Sequence, residues 1–201
     1  MVVTEERATP RRRLTREDWV AAALEAIGGG GVAAVAVEPL AARLGTTKGS
    51  FYWHFPNREA LLEAALAAWE QVTTTAVLDE VEASTSDPVE QLRLLIARVV
   101  ENAERDPVEP MLFASSVHPI VGPALTRVTQ HRIDGTTRIF VRMGIRGGEA
   151  RRRALLAYSL YLGYGHLLRA TPAVLPQTRT GRREYLDQVL RSLIAGDPVR
   201  P

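Results

Sequence analysis

The 201-residue sequence contains no cysteine, which excludes disulfides, thiolate metal ligands and cysteine nucleophiles together. Lysine is almost missing too: of 25 basic residues only Lys48 is a lysine, a bias that points to a GC-rich genome rather than to a function. The four histidines, His54, His118, His131 and His166, include no pair three or four residues apart, so no helical turn presents a zinc pair. No run approaches the roughly 20 apolar residues that cross a bilayer. The first 15 residues have no apolar stretch of signal-peptide length, and the expected location is cytoplasmic. No Gly-x-Ser-x-Gly elbow is present, and no Gly-Lys-Ser/Thr follows the glycines 28–31, so neither a hydrolase nucleophile nor a phosphate loop is legible. Ser115 and Ser116 near His118 lack an orienting acid, and no enzymatic activity, cofactor or metal is expected.

With 46% apolar and 24% charged residues, the composition is that of an ordinary globular protein. The net charge of +2 conceals an uneven distribution. Residues 1–58 hold eight basic against six acidic residues, 59–109 hold three against twelve, and 110–201 hold fourteen against five. The first segment is only mildly positive, so charge by itself does not identify a nucleic-acid binder.

Helical periodicity runs through nearly the whole chain after a polar, basic stretch over residues 1–13 that ends in Arg11, Arg12 and Arg13. Thr15 with Asp18 reads as a capping box, and Trp19, Ala23, Leu24 and Ile27 recur at helical spacing until the glycines 28–31. A short helix is expected over 38–44 and a third from Thr47 to before Pro56. Asn57 is expected to cap a long fourth helix reaching about Glu82. Further helices are expected over 88–105, 110–117, 123–143, 149–169 and 182–195, with no strand. The fold class is therefore all-α.

Three helices with a tight turn between the second and third make a helix-turn-helix. At about 100° per residue, Phe55 lies near Phe51 on one side of the third helix. Gly49, Ser50 and Trp53 then face the opposite way, and Tyr52 and His54 fall on the two flanks. A helix entering a major groove needs this layout, with small residues toward the bases and donors toward both phosphate strands. Lys48, in the first turn, is placed to reach a phosphate.

The run Leu40-Ala41-x-x-Leu44-Gly45-Thr46-Thr47-Lys48-Gly49-Ser50-Phe51-Tyr52-Trp53-His54-Phe55-x-Asn57-Arg58-Glu59-x-Leu61-Leu62 closely resembles the signature of the TetR family. The resemblance is specific over Leu14–Leu62. It implies a homeodomain-like helix-turn-helix over 14–58, after a flexible basic arm over 1–13. A larger helical ligand-binding and dimerisation domain would follow over 59–201. It further implies phosphate contacts from Tyr52, His54 and Arg58, and base reading by Lys48, Gly49, Ser50 and Trp53. The implied partners are double-stranded operator DNA, a small-molecule effector and a second copy of the chain. The implied function is a repressor released from DNA by a small, mostly apolar molecule. The alternative is a DNA-binding dimer that answers to a protein partner, or acts as an activator, without a ligand.

Two positions depart from the family pattern. Ala36 stands where many relatives have a capping Ser or Thr, and Glu38 stands where a basic residue is common. The arginines 11–13 offer a compensating contact to the backbone or minor groove.

In the C-terminal part, the helix over 149–169 is apolar over most of its circumference after Arg153, which calls for burial on several sides. The stripe Tyr185, Leu186, Val189, Leu190 and Leu193 on the last helix is expected to join it in an isologous dimer interface. Trp69, Met111, Phe113, His118 and Tyr164 lie on helices that line the effector pocket in relatives, and are the candidate ligand contacts.

Overall fold

A computed structural model describes residues 13–195; apart from Arg13, the expected basic arm lies outside the described residues. Every regular element among the described residues is helical. None of these helices is long and apolar enough to cross a membrane.

The first helix, α1 (Arg16–Gly30), starts at the expected capping box. The Thr15 hydroxyl accepts the Asp18 N–H, and the Asp18 carboxylate accepts the Thr15 N–H at 2.7 Å. It outlasts the expected stop and ends only at Gly31, whose φ of 73° leaves the helical region. Two short helices follow, α2 (Val37–Arg43) and α3 (Lys48–Phe51). The third helix is a single turn rather than the two expected. Beyond Phe51 the ladder tightens, with His54 N–H bonding the Phe51 carbonyl three residues back at 2.9 Å. Pro56 disfavours helical backbone at Phe55, which closes the segment.

Asn57 caps α4 (Arg58–Glu70) by accepting the Ala60 N–H. The expected long rod then breaks step in a π-turn (Gln71–Thr75) and resumes as α5 (Ala76–Ser84). Asp87 and Pro88 open α6 (Pro88–Arg105), and Asp106 accepts the Val108 N–H at 2.7 Å to start α7 (Val108–Ala114). The long antiparallel pair α8 (Val121–Arg142) and α9 (Gly147–Ala170) makes the largest helix contact, and α10 (Arg179–Ile194) closes the chain.

Two apolar clusters organise these helices. One joins α1, α2, α3 and α4 to α7 and the first half of α8, through Trp19, Ile27, Phe51, Leu62, Leu112 and Val128. The other joins α5, α6, α10, the second half of α8 and the first half of α9, through Val81, Leu92, Phe140, Ala154 and Leu193. The helix-turn-helix thus has no core separate from the rest of the chain.

The last helix departs from expectation. Leu190 and Leu193 are 4% and 1% exposed and pack inside their own chain rather than on an outer face. On α9, by contrast, Leu155, Leu156 and Leu167 share an exposed stripe with Ser159 and Gly163.

Within α1, Gly28 and Gly29 differ in what surrounds them. A Cβ at Gly28 would stand 2.8 Å from Pro107 Cγ, whereas one at Gly29 meets no atom within 4 Å. Gly29→Ala should stabilise the fold by up to about 1 kcal/mol through helix propensity. Gly28→Ala should instead cost about 1–3 kcal/mol by forcing α1 away from α7. Urea denaturation of the two variants checks the difference.

Candidate nucleic-acid interface and internal cavity

The third helix is fixed by its buried side. Phe51 and Phe55 are 0% and 2% exposed, stacked on each other at 5.8 Å, and Trp19 meets Phe51 edge-on at 5.3 Å. With these two aromatics anchored, Trp53 projects outward at 88% exposure and Tyr52 at 54%. His54 is half-buried, Lys48 and Gly49 are exposed, and Ser50 is partly so. Phe51 and Phe55 therefore form the buried side, as their spacing implied, and Trp53 does not fold back on α1. A Cβ at Gly49 would meet only Thr47 Oγ1 at 3.6 Å, an ordinary contact. Nothing inside the chain requires that glycine.

The basic residues of this face are engaged within the chain. Lys48 Nζ donates to Glu38 Oε1 at 2.8 Å. That hydrogen bond, with the pair's attraction, raises the Lys48 pKa and lowers that of Glu38. Glu38 therefore acts here as the partner of Lys48, a role its departure from the family pattern did not reveal. Both side chains are exposed, so the pair is weakly held. Arg58 donates from Nε to the Val35 carbonyl at 2.5 Å and from Nη2 to the Val32 carbonyl at 2.8 Å. It ties down the connection between α1 and α2, while its Nη1 lies 3.9 Å from Glu59 Oε1. Arg43 clamps α2 onto α1 in the same way, through the Ala22 carbonyl and Glu25. Ala36 stands at the start of α2 with no side-chain cap, as the sequence implied. Thr47, at the start of α3, makes no cap bond either. Its exposed hydroxyl is a candidate contact that the sequence reading passed over.

An interior cavity of about 60 Å³ lies between the π-turn, α5, α6, α8 and α9. One end is apolar, formed by Val77, Leu92, Leu95, Ile96 and Val99; the other is polar, with Asn102, Asp106, Glu109, Arg132 and Tyr161. Arg132 organises the polar end. Its Nη1 donates to Glu109 Oε1 at 2.5 Å, its Nε to Thr74 at 2.8 Å and its Nη2 to Thr73 at 3.2 Å. Its guanidinium lies 5.3 Å from the Trp69 ring centroid and 5.8 Å from that of Tyr161. Burial opposes its charge, but Glu109 and the neighbouring tyrosines outweigh burial and raise its pKa. The Tyr161 hydroxyl donates to Glu109 Oε2. Burial first, and then the charge of Glu109, push the Tyr161 pKa far up, so the phenol keeps its proton and remains a donor.

None of the five expected pocket residues lines this cavity. Trp69 is one layer behind it, with Nε1 donating to Asp106 Oδ2 at 3.0 Å. Met111 is among the exposed large apolar residues of the chain. His118 accepts the Ile120 N–H at 3.2 Å and shapes the turn into α8. Phe113 lines a separate outer cleft between α7 and α9. Tyr164 stacks on Tyr185 at 6.0 Å and borders a crevice between α6, α9 and α10. The sequence did carry a signal for the polar wall of this cavity. Thr129, Arg132 and Thr136 form a polar stripe on the inward face of α8, opposite Tyr158 and Tyr161.

A buried ion pair is costly to break and cheap to replace whole. Glu109→Leu should lower unfolding free energy by about 3–5 kcal/mol, because Arg132 is left unpaired. Adding Arg132→Met should recover most of that loss, as read by urea denaturation.

Residues 20–65 match the family model described as bacterial regulatory proteins, tetR family. No curated protein matches the sequence. The fold is similar to that of NemR from E. coli in its reduced form, with a TM-score of 0.74 at 16% identity over 90% of this chain and 97% of the other. It is also similar to that of SmeT, the repressor of the Stenotrophomonas maltophilia efflux pump SmeDEF (TM-score 0.69, 23% identity, 90% of each chain). A transcriptional regulator of the TetR family from Agrobacterium tumefaciens gives a TM-score of 0.71 at 21% identity, over 90% and 97% of the two chains. Residues 20–65 thus carry the helix-turn-helix of the tetR family of bacterial regulatory proteins, and the described chain has the fold of TetR-family transcriptional regulators.

Proposed function

We propose that this chain is a cytoplasmic, homodimeric repressor that leaves its operator when a small, mostly apolar effector enters the α5–α9 interior. The carrying observation is where the cavity sits. Its polar end is built from the same elements that hold the helix-turn-helix in place. Glu109, on α7, faces the cavity, while the preceding Pro107 and Val108 press on Gly28 of α1. Thr73 and Thr74 continue the helix that begins at Arg58. A cavity of about 60 Å³ is smaller than the ~150 Å³ that holds a benzene. An effector must therefore spread the walls, and moving α7 or the π-turn displaces α1 and α4.

In this reading residues 1–13 are a basic arm, 14–58 bind DNA and 59–201 bind effector and dimerise. Lys48, Gly49, Ser50 and Trp53 face the bases, and Tyr52 and His54 face the phosphates. Arg58 steadies the unit, and its Nη1, paired with Glu59 at 3.9 Å, is the nitrogen proposed to turn to a phosphate. The exposed α9 stripe of Leu155, Leu156 and Leu167, with Ser159 and Gly163 for close approach, is the dimer face. SmeT is a repressor, and the same sense is proposed for this chain. The competing reading, control by a protein partner without a ligand, fits a filled interior better than a cavity lined by an organised polar network.

Tyr52→Phe should weaken binding to operator and unrelated duplexes alike, by about 1 kcal/mol for one lost phosphate hydrogen bond. Fluorescence anisotropy with both duplexes measures it, and loss on the operator alone would show that Tyr52 reads bases. Effector and operator binding should oppose each other by roughly 1–3 kcal/mol, equally in both directions. Titrating an effector with and without operator DNA measures this coupling, and equal affinities would reject the mechanism.

A further inference from the structure

The interior cavity and the outer cleft are separated by very little. The cleft, about 480 Å³ between α7 and α9, is lined by Ala103, Pro110, Phe113 and Arg169 among others. Glu109 and Tyr161 line both spaces, and the hydrogen bond from the Tyr161 hydroxyl to Glu109 Oε2 closes the partition between them. The two partners are held very differently. Glu109 is fixed from its other oxygen by Arg132, which is itself anchored to Thr73 and Thr74. Among the described residues the Tyr161 hydroxyl has Glu109 as its one hydrogen-bond partner, so moving it away breaks that one bond. The cavity alone is too small for an organic ring, and the cleft alone does not reach the apolar side chains at the cavity's far end. Joined, they make a passage with an enclosed apolar end at Val77, Leu92 and Leu95.

We infer that the effector site is the interior cavity and the α7–α9 cleft run together, with Tyr161 as the displaceable partition, and that its ligand carries an O–H or N–H donor which replaces the Tyr161 hydroxyl on Glu109. The chemistry follows from what Tyr161 leaves behind. When it swings out, Glu109 Oε2 is a buried carboxylate oxygen without a donor, a costly state. An alcohol or ammonium on an apolar chain relieves it, with the chain directed into the apolar end. A ligand carboxylate does the reverse, placing like charge against Glu109. Asp106 adds to this preference, since among the described residues its carboxylate accepts only from the neutral donors Trp69 Nε1 and Val108 N–H, the Arg169 guanidinium donating to its backbone carbonyl instead. The inference rests on the effector-binding reading above and adds to it a chemical class and a way in.

The test uses hexylamine, 1-hexanol and hexanoate, three probes with one apolar chain and different heads, titrated calorimetrically into the full-length protein and into Tyr161→Phe. Wild type should bind hexylamine and 1-hexanol, and hexanoate at least roughly tenfold more weakly. In Tyr161→Phe no hydrogen bond has to be broken on binding. The amine and the alcohol should therefore gain roughly tenfold and hexanoate should gain nothing. A purely structural role for Tyr161 would shift all three together, and circular dichroism checks that the variant is folded. Equal binding of hexanoate and hexylamine, a uniform shift, or binding by none of the three overturns the inference. Donor-selective binding that leaves the operator occupied would preserve it and sink the effector-release reading instead.

Discussion

The Arg132 guanidinium is the point on which the C-terminal half is assembled. A single side chain from α8 meets Thr73 and Thr74 of the π-turn, Glu109 of α7, Trp69 of α4 and Tyr161 of α9. Burying a guanidinium is unfavourable unless its charge and its donors are answered, and here both are. That requirement explains why Glu109 sits at an inward position and why threonines occupy the π-turn. It also explains why a cavity persists: the polar network needs room that apolar side chains would otherwise fill. A space walled by a satisfied ion pair on one side and aliphatic residues on the other is suited to molecules that are apolar along most of their length.

The second constraint is the absence of a separate core for the helix-turn-helix. Trp19, Phe51 and Phe55 pack into a cluster that continues through Leu112, Val121 and Val128. Asp106 joins the two halves in a small space, since it accepts the Val108 N–H at the start of α7 and the Trp69 indole N–H. Immediately after it, Pro107 rests on Gly28. The path from cavity wall to α1 is therefore three residues long, and it runs through packed atoms rather than through a linker.

Much of the fold was legible in local chemistry. The Thr15–Asp18 box, Asn57, and Asp87 with Pro88 marked helix starts because capping depends on a few adjacent residues. Phe51 and Phe55 announced the buried side of α3 because two aromatics four apart need one neighbour. What was not legible depended on distant parts of the chain. Arg58 looked like a surface cation, yet the carbonyls it serves belong to Val32 and Val35, where the chain leaves α1. Leu190 and Leu193 formed a stripe, but a stripe does not state whether it faces its own chain or another. The candidate ligand contacts were drawn from large and aromatic side chains, and the Arg132–Glu109 pair that organises the α5–α9 cavity was not among them because it spans 23 positions.

The π-turn at Gln71–Thr75 has a consequence for how α4 and α5 are aligned. In an unbroken α-helix, Trp69 and Val77 would be about 80° apart around the axis, and Val77 would drift toward solvent. The wider turn absorbs roughly one residue's worth of rotation, so Leu66, Trp69, Val77 and Val81 all remain buried. The segment behaves as a phase corrector between two helical screws with different demands, one set by the helix-turn-helix and the other by α6 and α8. Most helices tolerate a change of residue far better than a change of length. Here the surplus residue is already part of the winding, and the spacing between the two halves of the molecule is stored in a turn that has an ordinary α-helical alternative one residue shorter.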